Sequence, residues 1–255
     1  MKTEHEKQVF YHDLGVDYFW LAGHYDVVEF ILEKYLKLFK DKGGVPKVLD
    51  AGCGPGKFIS RIENKYSVIG ADFSLEALKY SKNENKSPIF VGDLEKLGIR
   101  DNSFDCIVSL EVLEHLHRDE KTLREYARVL KPGGIGIITV PAFQFLWGSH
   151  DEWFGHVRRY EKKDLLLKLD RANLKSLCCR YFKCVFFLPM WALRKMKSMF
   201  HQYDTVKTDY VDIPKWLNKI LRSWLFFEVR SNLNALIPFG THLLCVFQKP
   251  ELKNG

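Results

Sequence analysis

Across the middle of the chain, short apolar runs alternate with segments of helical period. Residues 47–58 read Lys-Val-Leu-Asp-Ala-Gly-Cys-Gly-Pro-Gly-Lys-Phe: an apolar run ending in a carboxylate, three glycines at alternate positions, and the start of a helical pattern. Residues 68–74 and 91–94 are further apolar runs with an acid at or near the end, 104–115 supplies a fourth run and 135–140 a fifth. Helical spacing fills the gaps at 74–82 and 122–130, the latter stopped by Lys131-Pro132-Gly133-Gly134, where proline and glycine forbid continuation. This alternation predicts a doubly wound parallel sheet with short right-handed crossovers.

Apolar positions at 27, 28, 31, 32, 35, 38 and 39 predict an amphipathic helix over 26–40, with Asp26 as its N-cap and Gly43-Gly44 at its end. The aromatic-rich residues 9–25 carry no regular period and read as an arm packed over the core. Beyond the fifth strand the pattern predicts a helix over 161–174, a sixth strand over 175–187 and a seventh over 241–250. About fifty residues separate the last two strands, enough for two helices at 189–200 and 214–236. Both are rich in large apolar groups and flanked by Arg194, Lys195, Lys197, Lys215, Lys219 and Arg222. Their apolar surface exceeds what one helix face needs, so the insertion reads as a cap, a dimer face or a membrane-surface element. The expected organisation is an N-terminal arm and helix (1–44), a ligand-binding domain (45–187 with 239–250) and an inserted helical cap (188–238).

Composition narrows the function classes. The six cysteines include no Cys-x-x-Cys pair and several lie in apolar runs, which points to buried thiols in a reducing compartment rather than to disulfides or zinc. The N-terminus lacks the apolar stretch of a leader, and no run nears the roughly 20 apolar residues that span a bilayer. The expectation is a cytoplasmic protein, at most peripheral to a membrane. The net charge of +7 is concentrated, because residues 156–200 hold 12 Lys or Arg against 3 Asp or Glu; such a bias favours an anionic partner.

Glycines after a strand let a ligand touch backbone, and a helix N-terminus behind them offers free N–H groups. The spacing here is Asp-x-Gly-x-Gly-x-Gly, not the Gly-x-Gly-x-x-Gly of dinucleotide enzymes, which argues against a nicotinamide oxidoreductase. Asp72 follows at roughly the twenty-residue distance at which a βαβ unit places an acid on a ribose diol. In order along the chain, residues 50–56, Asp72, Asp93, residues 109–115 and the turn at 128–134 resemble the motifs of the class I S-adenosylmethionine-dependent methyltransferases. The resemblance covers about residues 45–141. It implies a Rossmann-like α/β fold, a doubly wound seven-stranded sheet, mostly parallel with an antiparallel last strand, with the helical cap inserted before that strand. It implies S-adenosyl-L-methionine as cofactor, held by Asp50, Gly52, Cys53, Gly54 and Gly56 on the first loop, Asp72 and Phe73 at the ribose, Asp93 and Leu94 at the adenine, and Leu110 and His115 after the fourth strand. Trp20 and His24 of the arm would shape the methionine end. Glu111, Glu114 and His115 would serve cofactor contact or loop structure rather than substrate chemistry.

Residues 143–160, beside the end of the fifth strand, crowd two histidines, an acid pair, two arginines and a tyrosine together. His150, His156 and Tyr160 are the candidate catalytic groups. Trp147, Arg158 and Arg159 are candidates for holding the acceptor, the arginines by gripping a carboxylate or phosphate. The histidine spacing gives no metal pattern, so no metal is expected. The expected reaction is O- or C-methylation of a small or lipid-linked, anionic acceptor, with peripheral membrane contact. Its rivals are an RNA or protein methyltransferase, against which the lack of an appended nucleic-acid module counts, and a non-catalytic binding protein on the same scaffold.

Overall fold

The computed structural model describes residues 17–40, 44–81, 85–199, 213–232 and 235–251. Seven strands form one sheet: β1 (Lys47–Ala51), β2 (Ser67–Asp72), β3 (Ile89–Val91), β4 (Phe104–Leu110), β5 (Leu130–Pro141), β6 (Lys175–Phe182) and β7 (His242–Gln248). Their order is β3-β2-β1-β4-β5-β7-β6, and β7 alone runs antiparallel to its neighbours. The Rossmann-like architecture expected from the alternating pattern is the one that forms.

Strand periodicity divides the core into two layers, since successive side chains point to opposite faces. On β5, Ile135 and Ile137 pack with α1 (Phe19–Lys40) and α2 (Lys57–Ile62), whereas Ile138 and Val140 pack with α4 (Asp119–Val129) and α6 (Lys162–Arg171). Between these lie α3 (Leu75–Ser81), capped by Ser74, whose Oγ accepts the amide of Ala77 at 3.1 Å, and α5 (Ser149–Phe154). The insertion supplies α7 (Phe187–Met199) and α8 (Lys215–Arg230).

Two expectations about the N-terminal helix change. It begins at Phe19, not at residue 26, so Asp26 lies inside it and caps nothing. A carboxylate is tolerated there because Arg61 of α2 and Arg222 of α8 donate to it at 2.5 and 2.6 Å. Residues 9–16 of the expected arm, Gly43, Lys82 and Phe200 lie outside the described residues. The sixth strand stops at Phe182, five residues early, because Lys183 takes a left-handed φ of 59° and turns the chain toward α7.

Helix α8 lies against α1 as part of the same layer. Asn218 Oδ1 accepts the amide of Phe19 at 2.7 Å, Leu225 approaches Gly23, and Leu225 and Val229 are buried. Five of the twelve basic residues in 156–200 form ion pairs: Arg158 and Lys168 with Asp119, Arg159 and Arg194 with Asp151, and Arg171 with Glu120. Part of the charge bias in the sequence is therefore internal pairing. All six cysteines are free thiols, five buried and Cys178 half-buried.

Candidate active site

The carboxyl ends of the strands meet at one rim. At the end of β1 the chain turns through Gly52, Gly54 and Gly56, with φ of 85, 52 and 79°. Gly52 is confined as well as left-handed, since an added Cβ would stand 2.3 Å from Cγ2 of Val112. A Cβ on Gly54 would meet nothing within 4 Å, so this backbone faces open space that a ligand can enter. Asp72, at the end of β2, accepts the amide of Gly54 at 2.7 Å and that of Ser74 at 2.8 Å, tying the glycine loop to the second strand. Asp50 is 2% exposed and its Oδ2 has no hydrogen-bond partner. Burial, reinforced by the charge of Asp72, pushes its carboxyl up to about 8. A buried carboxyl with an open acceptor beside a backbone cradle fits a cationic, ribose-bearing ligand. Phe73 is exposed beside Asp72, Leu94 and Cys53 are buried, Leu110 is half-buried, and Asp93 is exposed, with its Oδ1 accepting the amide of Glu95 at 2.8 Å.

Across the rim lies a second constellation, of which the sequence singled out Trp20, His24 and Glu111 but not Lys183 or His242. Glu111, Phe143 and Lys183 follow the ends of β4, β5 and β6, and each has positive φ (56, 61 and 59°). Non-glycine residues hold that conformation only where the surroundings impose it, and such positions concentrate at functional sites. Glu111 Oε2 lies 3.0 Å from His242 Nε2 at the start of β7, while His242 Nδ1 lies 2.9 Å from Thr241 Oγ1. Burial holds His242 down at about 4, so the neutral ring donates from Nε2 to Glu111 and accepts at Nδ1 from the Thr241 hydroxyl. Burial would raise Glu111, but His242, His24 and Lys183 outweigh it and keep the carboxyl low. Lys183 is fully buried, with Nζ 4.0 Å from the Trp20 ring centre and no hydrogen-bond partner; desolvation brings it down to about 7. His24 is buried with Nε2 unpartnered, and its ring packs on Phe182 and His242. Trp20 and His24, expected near the methionine end, therefore stand in this cluster. Of the five segments involved only 109–115, which holds Glu111, resembles a family motif; for Lys183 the one signal in the sequence is a lone lysine inside the apolar run 182–187.

The predicted acceptor residues have other partners. Tyr160 is 2% exposed, and its hydroxyl donates to Asp119 Oδ2 at 2.6 Å and to the Leu113 carbonyl at 3.1 Å, so it pins the fold. Arg159 is buried and donates to Asp151 Oδ1 at 2.8 Å and to the Ala142 carbonyl at 3.2 Å, which removes it as a grip on an acceptor. Arg158 bonds Asp119 and the His117 carbonyl and borders a polar cavity of about 260 Å³ on the outer side of α6. His150 packs on Phe154, and Trp147 is half-buried in the turn before α5. His156 is held at Nδ1 by Asp151, beside His115 and Glu114.

Comparison with known proteins agrees with this geometry. The family described as a methyltransferase domain matches residues 49–138. Norajmaline N-methyltransferase of Rauvolfia serpentina is 30% identical over 155 residues, 57% of this chain and 52% of that protein. The tRNA (carboxymethyluridine(34)-5-O)-methyltransferase of Arabidopsis thaliana is 36% identical over 108 residues, 41% of this chain and 25% of that protein. The chain thus spans between a quarter and about half the length of these relatives. A crystal structure of a SAM-dependent methyltransferase from Archaeoglobus fulgidus superposes with a TM-score of 0.55 over 88% of this chain and 94% of that one, at 18% identity, a likeness of fold. Residues 49–138 thus match a methyltransferase-domain family, on a fold shared with class I S-adenosylmethionine-dependent methyltransferases. S-adenosylmethionine is the cofactor of that class.

Asp50 leads to a pH prediction. An acid whose folded pKa is raised stabilises the fold fully only below its unfolded pKa of about 4, and this contribution is lost as pH rises through the folded value near 8. A cationic ligand draws Asp50 into its ionised form. Affinity for S-adenosylmethionine is therefore expected to rise between about pH 6 and 8, with proton release seen by calorimetry in buffers of different ionisation enthalpy. Asp50→Asn should abolish that part of the pH dependence.

Proposed function

We propose that the protein methylates an oxygen or carbon of a lipid-linked acceptor whose polar head reaches the rim while its apolar part lies between the insertion helices. When bound, S-adenosylmethionine supplies an electrophilic methyl group. The glycine loop and Asp72 would hold the cofactor, with Asp50 at its cationic end. Lys183, near neutrality in its proton affinity, could take a proton from the acceptor, and the Glu111 carboxylate beside it could orient a hydroxyl. The rings of Trp20 and Phe182 lie 4.0 and 5.2 Å from Lys183 Nζ and cover it with apolar surface.

The observation that carries this reading is an apolar groove of about 300 Å³ lined by Cys184, Val185, Leu188, Trp224, Ile237 and Phe239, with Glu228 in its wall. Glu228 Oε2 accepts the amide of Cys184 at 3.0 Å, which sets the groove one residue from Lys183. Trp224 of the groove belongs with Trp216, Ile220 and Phe227 to an exposed stripe at helical spacing on α8, and Leu188 of the groove with Trp191, Leu193 and Met196 is exposed on α7. Lys195, Lys215, Lys219 and Arg230 accompany them, the composition of a helix lying on an anionic lipid surface. Among the described residues no helix is long and apolar enough to cross a membrane.

The test is methyl transfer from labelled S-adenosylmethionine into lipid extract, small-molecule extract and tRNA, with co-sedimentation on anionic vesicles alongside. Label in the organic phase supports the reading; label in RNA, the acceptor named for the Arabidopsis relative, would overturn it. Trp216→Ser with Trp224→Ser should weaken vesicle binding at least about tenfold and leave cofactor affinity unchanged, because both rings are exposed and far from the glycine loop in sequence.

A further inference from the structure

Glu114 is the most exposed to question of the buried acids. It is 0% accessible, and apart from an interaction with its own backbone amide neither carboxylate oxygen has a hydrogen-bond partner. Buried polar groups are almost always satisfied, and a carboxylate left bare in the interior calls for a counter-charge. Two histidines face it. Glu114 and His115 sit in the single 3-10 turn Leu113–His115 after β4, and His156 arrives from the end of α5, where Gly155 (φ 75°) reverses the chain. The amide of Val157 donates to the Glu114 carbonyl at 2.8 Å and sews the two segments together. One ligand atom from each of Glu114, His115 and His156 lies within 4.8 Å of the other two, and the imidazole rings stand 4.8 Å apart at 83°.

We propose that Glu114, His115 and His156 bind one divalent transition-metal ion, with Asp151 orienting His156 from behind. His156 Nδ1 is 2.9 Å from Asp151 Oδ1, which leaves Nε2 toward Glu114 at 4.0 Å. A carboxylate behind a ligating imidazole fixes its tautomer and direction, as second partners of metal-bound histidines do. Asp151 is itself fixed by Arg159 and by the amide of Gly148. Ligands about 2.1 Å from a tetrahedral ion stand about 3.4 Å apart, so closing the triad takes side-chain movements of about 1 Å. Two imidazoles and one carboxylate favour zinc, manganese, iron or cobalt over magnesium or calcium, which prefer all-oxygen shells. Three protein ligands leave a position open. On the methyltransferase reading, an oxygen of the acceptor would take it, since Glu111 lies three residues before Glu114 and Val112 touches the glycine loop. The spacing of the histidines along the chain could not reveal the site, because its ligands come from two segments joined only in the fold.

Cobalt(II) titration of the chelator-treated full chain tests this, with visible ligand-field absorption as the readout. One equivalent should raise a saturable band that zinc displaces. Glu114→Gln, which keeps the shape of the side chain, and His156→Ala should each weaken binding about tenfold or more, whereas His117→Ala, an exposed neighbour, should not. Circular dichroism and cofactor binding report whether each variant folds, and the isosteric Glu114→Gln serves if His156→Ala does not. Absence of a saturable band in folded wild type, or a band that survives Glu114→Gln unchanged, overturns the site. Cobalt binding needs neither cofactor nor acceptor, so loss of the metal result with intact S-adenosylmethionine binding would leave the methyltransferase reading standing, and the converse would remove only that reading.

Discussion

Asp72→Ala is expected to weaken S-adenosylmethionine binding about 100-fold. Hydrogen bonds to a charged group are worth about 1.5–3 kcal/mol each, and a ribose diol facing this carboxylate would lose two of them. The same carboxylate also accepts the amides of Gly54 and Ser74, so its removal loosens the loop that carries the cofactor-facing backbone. One effect opposes these: without the charge of Asp72, Asp50 ionises more readily and attracts a cationic ligand better. That term acts through space at one group, while the losses involve two direct contacts and the loop geometry, so the losses dominate. Calorimetric titration of wild type, Asp72→Ala and Asp72→Asn decides it. An alanine variant that binds within about threefold of wild type would mean that the diol is held elsewhere.

Asp151→Ala should be the most destabilising single change in residues 143–160, by about 3–5 kcal/mol, because breaking a buried ion pair leaves the partner's charge uncompensated. Asp151 is 0% exposed and collects the amide of Gly148 at 2.8 Å, His156 Nδ1 at 2.9 Å, Arg159 Nε at 2.8 Å and Arg194 Nη1 at 3.4 Å. Of these the guanidinium of Arg159 is the one that cannot escape to water. At about 2–4 °C per kcal/mol for a chain of this size, the melting temperature should fall by about 10 °C. Burial raises the Asp151 carboxyl, but His156, Arg159 and Arg194 outweigh it and hold it well below the usual carboxylate range. A depressed folded value means that its stabilisation is present above the unfolded pKa of about 3.9 and is lost as pH falls toward the folded value. Wild type should therefore show an acid-side loss of stability that Asp151→Ala lacks, readable from thermal melts between about pH 3 and 7. A variant melting within about 2 °C of wild type would show that Arg159 finds another partner.

These two residues differ in how they could be found. Asp72 was legible because an acid closing a second apolar run stands at a distance set by local βαβ geometry. Asp151 was visible only as one acid of a pair in a crowded loop, and its partners give it a structural role that composition does not disclose. Histidines and arginines in that loop looked like free chemistry, yet Arg159 and Tyr160 turn inward to Asp151, Asp119 and backbone carbonyls. Titratable groups that cluster in sequence are as well suited to neutralising one another as to binding a substrate.

Lys183, His242 and Glu111 show the opposite case. They are far apart in the chain and only Glu111 lies in a motif, but antiparallel insertion of β7 between β5 and β6 brings the start of β7 to the same rim as the end of β4. By itself the sequence determined the parallel half of the sheet, the glycine loop and its acids, because those depend on hydrophobic period, turn residues and separations of about twenty residues or fewer. The tertiary structure decided where α8 packs, which charges of residues 156–200 are neutralised, and which buried groups share the rim. Those outcomes depend on contacts between segments as much as 200 residues apart, such as Asn218 with Asp17 and Arg222 with Asp26, where local propensity carries no information.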